Sequence, residues 1–176
     1  EHHVEAREVI AVKTHEPCEW AGSHGSALVL VRHPLRAALG MASLHLTRES
    51  HSTEAPDEEL RKAFTKSLTE MIALWKWHVK SWTECPGSHL IIRFEDIVAD
   101  TYGVYVRQIL PFFDIDTSNK AMLQRLRSAI DYSNSNRLTR RAHTYEFHFT
   151  DEDRSKAQRV AGDVMEQNGY GPIYTA

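Results

Sequence analysis

Ser26-Ala27-Leu28-Val29-Leu30-Val31-Arg32-His33-Pro34-Leu35-Arg36 is the stretch that decides the fold. Its first part is short and apolar without interruption, which suits a strand covered on both faces, as in a parallel sheet. It ends on Arg32 and His33, and Pro34 then fits the first position of a helix. A strand feeding directly into a helix is the repeating unit of an α/β fold. Two more runs share this character. Glu8-Val9-Ile10-Ala11-Val12-Lys13 lies upstream, and His89-Leu90-Ile91-Ile92-Arg93-Phe94 lies downstream.

Helical patterns separate and follow these runs. The first covers 34–47. A long helix is expected from Pro56, with Asp57, Glu58 and Glu59 at its positive end. Leu60, Phe64, Leu68, Met71, Trp75, Val79 and Trp82 then recur at spacings of four and three, one continuous buried stripe. That spacing assigns Trp75 and Trp82 to the core. A helix over 101–113 should end or bend at Pro111, and another should cover 118–130. The polar stretch 131–149 reads as a long connection, and such connections are usually functional or mobile. Thr150 and Asp153 form a capping-box-like start for the last helix, and Gly169 forms its stop.

Composition narrows the function classes. The chain has 176 residues, 41% hydrophobic and 26% charged, values of one globular domain rather than a disordered chain. Lys and Arg number 21 against 24 Asp and Glu, a net charge of -3, so a site for an anion must be local. A nucleic-acid partner is not expected. No run reaches the roughly 18 apolar residues of a membrane span, and no signal-peptide pattern opens the chain. Cys18 and Cys85 leave pairing open. The 11 histidines raise metal binding. Yet His15-Glu16 is followed by Pro17 and Glu19 rather than a zinc H-E-x-x-H pattern. Cys18, His15 and His24 match no standard zinc spacing, and no metal is expected.

Four constellations can carry chemistry. Lys13 and His15 stand two apart at the end of the first strand, so in extended chain they point to one side. A base there can take a proton from a hydroxyl while a cation stabilises charge forming nearby. A solvated strand end and an ordinary loop histidine explain the pair without chemistry. Arg32-His33-Pro34-Leu35-Arg36 offers backbone N–H groups, a positive helix end and a guanidinium suited to phosphate. The plainer alternative is a surface arginine beside a helix start. Arg137, Arg140 and Arg141 can close over a phosphate or form a solvated basic run. Phe94-Glu95-Asp96 ends the third strand, with Asp96 placed to cap the turn that follows. Gly22-Ser23-His24-Gly25-Ser26 is rich in small residues, but it lacks the Lys and the following helix of a P-loop.

In this order, Val12-Lys13-Thr14-His15-x-Pro17, Val31-Arg32-His33-Pro34 and Phe94-Glu95-Asp96 resemble the sulfotransferases that use PAPS (3′-phosphoadenosine 5′-phosphosulfate). The nearest likeness is to carbohydrate-type domains associated with WSC domains. It covers the chain from about Val9 to the last helix. The resemblance implies a single domain over 1–176 with a three-layer P-loop-NTPase-like fold and a central parallel sheet. It implies sulfuryl transfer from PAPS to a hydroxyl acceptor, a glycan by the nearer likeness, leaving PAP (adenosine 3′,5′-bisphosphate) and needing no metal. His15 matches the catalytic base and Lys13 the residue steadying the sulfuryl group. Arg32 matches the arginine that binds the 3′-phosphate, while Arg140 and Arg141 match a late basic loop on the same phosphate.

Departures from the family pattern are specific. Gly40 stands where many members carry a phosphate-binding Ser, and Ser43, three residues on, is the nearby hydroxyl. No Gly follows Arg141, and Phe94 replaces a common Tyr. The early P-loop-like segment has no counterpart, so the expectation is an N-terminally truncated domain. The alternative is an inactive remnant that binds an anion or a protein. A P-loop kinase relative fits less well without G-x-x-x-x-G-K-[ST]. The acceptor, the oligomeric state and the compartment stay open, a Golgi or membrane-tethered parent and a cytoplasmic one both being compatible.

Overall fold

The structure, a computed structural model, describes residues 15–19, 26–47, 57–139 and 147–171, with the backbone alone at 136–139. Strand β1 (Ser26–Val31) leads into helix α1 (Pro34–Thr47), and the long α2 (Asp57–Thr83) returns the chain to β2 (Ser88–Arg93). Then come α3 (Phe94–Ala99), α4 (Thr101–Val104), a π-turn (Tyr105–Ile109) and α5 (Leu110–Phe112). Helices α6 (Lys120–Thr139) and α7 (Asp151–Gln167) complete the described chain. The strands pair in parallel, with Ser26 opposite Ser88 and Val31 opposite Arg93. Helix and strand are thus mixed around a parallel pair, as the apolar runs require. The strand expected at 8–13 lies outside the described residues.

Because the register is in step, β1 and β2 end level. Arg32-His33 and Phe94-Glu95 therefore leave the sheet side by side, and this is what positions the site. Alternation along the strands divides the core. Val29 and Val31 pack with α1, α2 and α7, in a cluster that includes the fully buried Leu35, Phe64, Leu68 and Ile72. Ile92 packs instead with Val104 and Ile109. Each such side chain stabilises the fold by about 1.5–3 kcal/mol through burial. The stripe on α2 is as its spacing demands, with Met71 and Trp75 half-buried at its border.

Cys18 and Cys85 form a disulfide with Cα atoms 6.0 Å apart, answering the question the sequence left open. It fastens residues 15–19 to the end of α2. Cys18 N–H donates to Ser81 Oγ at 3.3 Å, and Trp82 Nε1 donates to the Glu16 carbonyl at 3.3 Å.

Two expectations need correction. Helix α6 continues to Thr139, through nine residues expected to be a connection. No Gly or Pro interrupts 120–139, so nothing stops the helix. Residues 131–135 are all exposed, so no apolar period could reveal it. Second, Asp96 does not cap the turn after it. It sits in α3 and accepts from Arg93 Nε at 2.9 Å. The cap is Asp100, whose Oδ1 accepts from Gly103 N–H at 2.8 Å. Pro111 acts as expected. The backbone widens into the π-turn just before it, and the helix ends after Phe112.

Helix α7 has the capping box its sequence announces. Thr150 Oγ1 accepts from Asp153 N–H at 3.1 Å, and Asp153 Oδ2 accepts from Thr150 N–H at 2.9 Å. Asp153 is buried and also meets Arg61 of α2 at 2.9 Å. At the other end Gly169 has φ of 72°, a left-handed value that favours glycine. Gly169 N–H reaches the Glu166 carbonyl and Tyr170 N–H the Met165 carbonyl, a Schellman motif. That turn drives Tyr170 back into the core.

Candidate anion-binding site

The parallel strands open into one cavity of about 510 Å³ at their carboxyl ends. Open α/β sheets bind ligands at this end. The β1–α1 turn supplies Arg32, His33, Leu35 and Arg36, and the β2–α3 junction supplies Phe94, Glu95, Val98 and Ala99. Phe149 and Arg154, flanking the start of α7, complete the wall. The cavity thus carries three guanidinium groups against one carboxylate, on largely apolar walls.

Aromatic rings set the arginine geometry. Arg32 lies over the Phe94 ring at 5.0 Å from its centroid, and Arg36 over Phe149 at 5.3 Å. Stacking of this kind holds a guanidinium without using its N–H donors. Among the described residues neither arginine makes a hydrogen bond or ion pair through that group. Phe149 is itself backed by Phe64, centroids 5.7 Å apart.

The carboxylate is structural. Glu95 Oε1 accepts from His33 N–H at 3.0 Å, and Oε2 accepts from the Tyr170 hydroxyl at 2.8 Å. The Tyr170 hydroxyl also lies 3.0 Å from the Val31 carbonyl. Burial, reinforced by Glu95, pushes the Tyr170 pKa far up, so the phenol stays a donor. Arg93 bridges Asp96 and the Gly169 carbonyl, the latter at 2.7 Å. Those contacts hold Arg93 firmly protonated and Asp96 firmly ionised.

The turn differs from its sequence reading in one respect. Its backbone donors are mostly engaged within the protein. His33 N–H goes to Glu95, Pro34 has none, and Leu35 N–H goes to His33 Nδ1 at 3.2 Å. The attraction for an anion here comes from side chains more than from the helix end. His33 is the N-cap of α1, since its carbonyl accepts from Ala37 N–H at 2.9 Å.

Its ring nitrogen must be unprotonated to accept from Leu35. Burial pushes the His33 pKa below the usual histidine value, Glu95 pulls it up and Arg36 pushes it down. The unfolded chain therefore takes up this proton at a higher pH than the folded chain. Stability is full above about pH 6.5 and falls as the pH drops toward the folded-state value. His33→Asn keeps an acceptor for Leu35 N–H and removes the titration. Urea midpoints at pH 7 and pH 5 should fall less for His33→Asn than for the unaltered chain. A slope remains from His78, lowered first by burial and then by the charge of His15. Equal falls in both proteins would refute the account.

Of the residues singled out by sequence, Arg32 lines the cavity and Phe94 supports it. His15 does not line it. It is exposed, beside His78 on α2, one turn from Trp75, whose Nε1 donates to the Arg32 carbonyl at 2.9 Å. Ser43 sits further along α1, about 14 Å from its start by helical rise. It is not among the cavity residues, and its carbonyl accepts from Thr47 Oγ1 at 3.0 Å. Lys13, Arg140 and Arg141 lie outside the described residues. Arg154 was missed, because it sits among Asp151, Glu152, Asp153 and Lys156, where a charged first turn reads as solvated surface. Phe149 was missed because it falls in the stretch taken for a connection. Among the described residues no three His, Cys, Asp or Glu side chains converge as a metal site. Among them, too, no helix is long and apolar enough to cross a membrane. Comparison with family models, curated proteins and solved structures found no match to this chain.

Proposed function

We propose that the chain is a PAPS-dependent sulfotransferase domain of three-layer, P-loop-like architecture that binds the cofactor's 3′-phosphate in the cavity beyond β1 and β2. One observation carries this reading. Arg32, the residue its sequence context marks for that phosphate, stands at the carboxyl end of a parallel strand with its guanidinium stacked on Phe94 and lining the cavity. Arg36 adds a second cation at the same mouth. His15 is the base that takes the acceptor's proton in this reading, and Lys13 steadies the sulfuryl group. Arg140 and Arg141 belong to the phosphate loop. Ser43 is too far along α1 to share that phosphate with Arg32, so Arg36 takes its place. The acceptor is a hydroxyl, proposed to be on a carbohydrate, and the chemical step uses no metal. The Cys18–Cys85 bond supports a lumenal or extracellular setting, where disulfides persist.

A non-catalytic anion-binding module is the second reading. It is favoured by one observation, that His15 does not line the cavity of Arg32.

Calorimetric titration with PAP tests the first claim. The chain should bind PAP saturably, and Arg32→Ala should weaken binding about 10-fold or more, the value of one bidentate charge-assisted contact. Unchanged affinity in Arg32→Ala would remove the 3′-phosphate from this cavity. If PAP binds but transfer from PAPS to a glycan panel is absent, and remains absent at every pH from 5 to 8, the second reading stands.

A further inference from the structure

We propose that Arg154, from the first turn of α7, is a third guanidinium contact for the anion bound between Arg32 and Arg36, and that the ligand's anion is esterified to a flat, apolar group. The inference rests on the reading that this cavity takes an anion, and it adds to that reading a binding residue and a ligand class.

Two observations bear on Arg154. Its Nε is fully buried and has no hydrogen-bond partner, while the residue lines the cavity. Nε itself is enclosed by protein and anchors the side chain in the wall, and it is the exposed part of the guanidinium, in a side chain 24% exposed, that a ligand oxygen can meet. Among the described residues its ion pair is weak. Arg154 Nη1 meets Asp151 Oδ1 at 3.0 Å, but the Asp151 side chain is 95% exposed, so water competes for it. Arg154 is thus held in place yet little neutralised. Three guanidinium groups on separate parts of the wall can together surround a doubly charged phosphate or sulfate monoester, each through its planar fork.

The rest of the wall argues for the esterified group. Phe94, Phe149, Leu35 and Val98 offer apolar surface beside the arginines. The two rings already carry Arg32 and Arg36 on one face. A planar apolar substituent gains from burial against such surface, which bare phosphate cannot do. The one carboxylate present, Glu95, is tied up by His33 and Tyr170 and does not repel the anion unscreened.

Phenyl phosphate, inorganic phosphate and PAP are the probes, titrated by calorimetry into the full chain, Arg154→Gln, Arg32→Ala and Asp151→Asn. Near-ultraviolet circular dichroism checks that each variant is folded. Phenyl phosphate should bind at least about 10-fold more tightly than inorganic phosphate, as burying one ring predicts. Arg154→Gln should weaken phenyl phosphate about 10-fold, whereas Asp151→Asn, which only releases Arg154, should bind as well or better. Full affinity in Arg154→Gln with a loss in Arg32→Ala overturns the role of Arg154 alone. Equal affinity for phenyl and inorganic phosphate overturns the apolar group. If phenyl phosphate binds through Arg154 and PAP does not bind, the sulfotransferase reading fails and this one holds. If no probe binds the folded chain, both fall.

Discussion

Phe64→Ala should lower the unfolding free energy by about 3–5 kcal/mol, the range for a phenylalanine removed from a packed core. Phe64 is 0% exposed, at the middle of the α2 stripe. Its ring meets those of Phe147 and Phe149 at 5.0 and 5.7 Å between centroids. Neither neighbour can fill the space alone, because each is engaged by an arginine. Arg61 lies over Phe147 at 3.8 Å and Arg36 over Phe149 at 5.3 Å. The cavity left behind therefore relaxes only in part, which puts the cost in the upper half of the range. Urea denaturation at pH 7 measures it. A change below about 1 kcal/mol would mean that the segment before α7 does not pack on α2. The same variant should also weaken anion binding, since Phe149 loses its backing.

Loss of the disulfide is the second large effect. The bond closes a loop of 67 residues in the unfolded chain. Chain-entropy reasoning assigns such a loop about 4 kcal/mol. Cys85→Ser should therefore lower the melting temperature by roughly 10 °C, at about 2–4 °C per kcal/mol for a domain of this size. Reducing agent should produce the same fall in the unaltered chain and none in Cys18→Ser/Cys85→Ser. Equal melting of the oxidised and reduced chains would show that the bond adds nothing. The contacts of residues 15–19 with α2 include two long hydrogen bonds, Cys18 N–H to Ser81 and Trp82 to Glu16. The bond thus also fixes where His15 stands, so in the proposed reaction its loss should reach turnover before it reaches PAP affinity.

The parts of this fold that could be read from sequence are those whose burial is periodic. The apolar runs of β1 and β2 and the stripe from Leu60 to Trp82 each answer to a single buried face. The capping box at Thr150 and the stop at Gly169 were legible because local hydrogen bonds dictate those residue types. Helix α6 beyond Ile130 was not, since an exposed helix leaves no apolar rhythm. Arg32 was visible as a candidate site residue because strand, basic residue and proline follow one another in the chain. Arg154 and Phe149 reach the same cavity from more than a hundred residues away, and no local pattern encodes that approach. Cys18 and Cys85 were visible as residues but not as a pair, because two cysteines carry no information on distance.

The hydroxyl of Tyr170 has a consequence for how the protein is made. It reaches the carbonyl of Val31 across 139 positions of chain. At a synthesis rate of about 5–20 residues per second, Val31 leaves the ribosome roughly 7–28 seconds before Tyr170. During that interval the end of β1 and the Glu95 carboxylate lack their shared donor. Helices α1 and α2 can form early from local contacts, but the mouth of the cavity cannot be finished until α7 and Tyr170 have docked. The nascent chain therefore carries its arginine-lined opening in an unfinished state throughout that interval. In the proposed reading, the cavity can take its ligand only once Tyr170 has been made and has reached Val31 and Glu95.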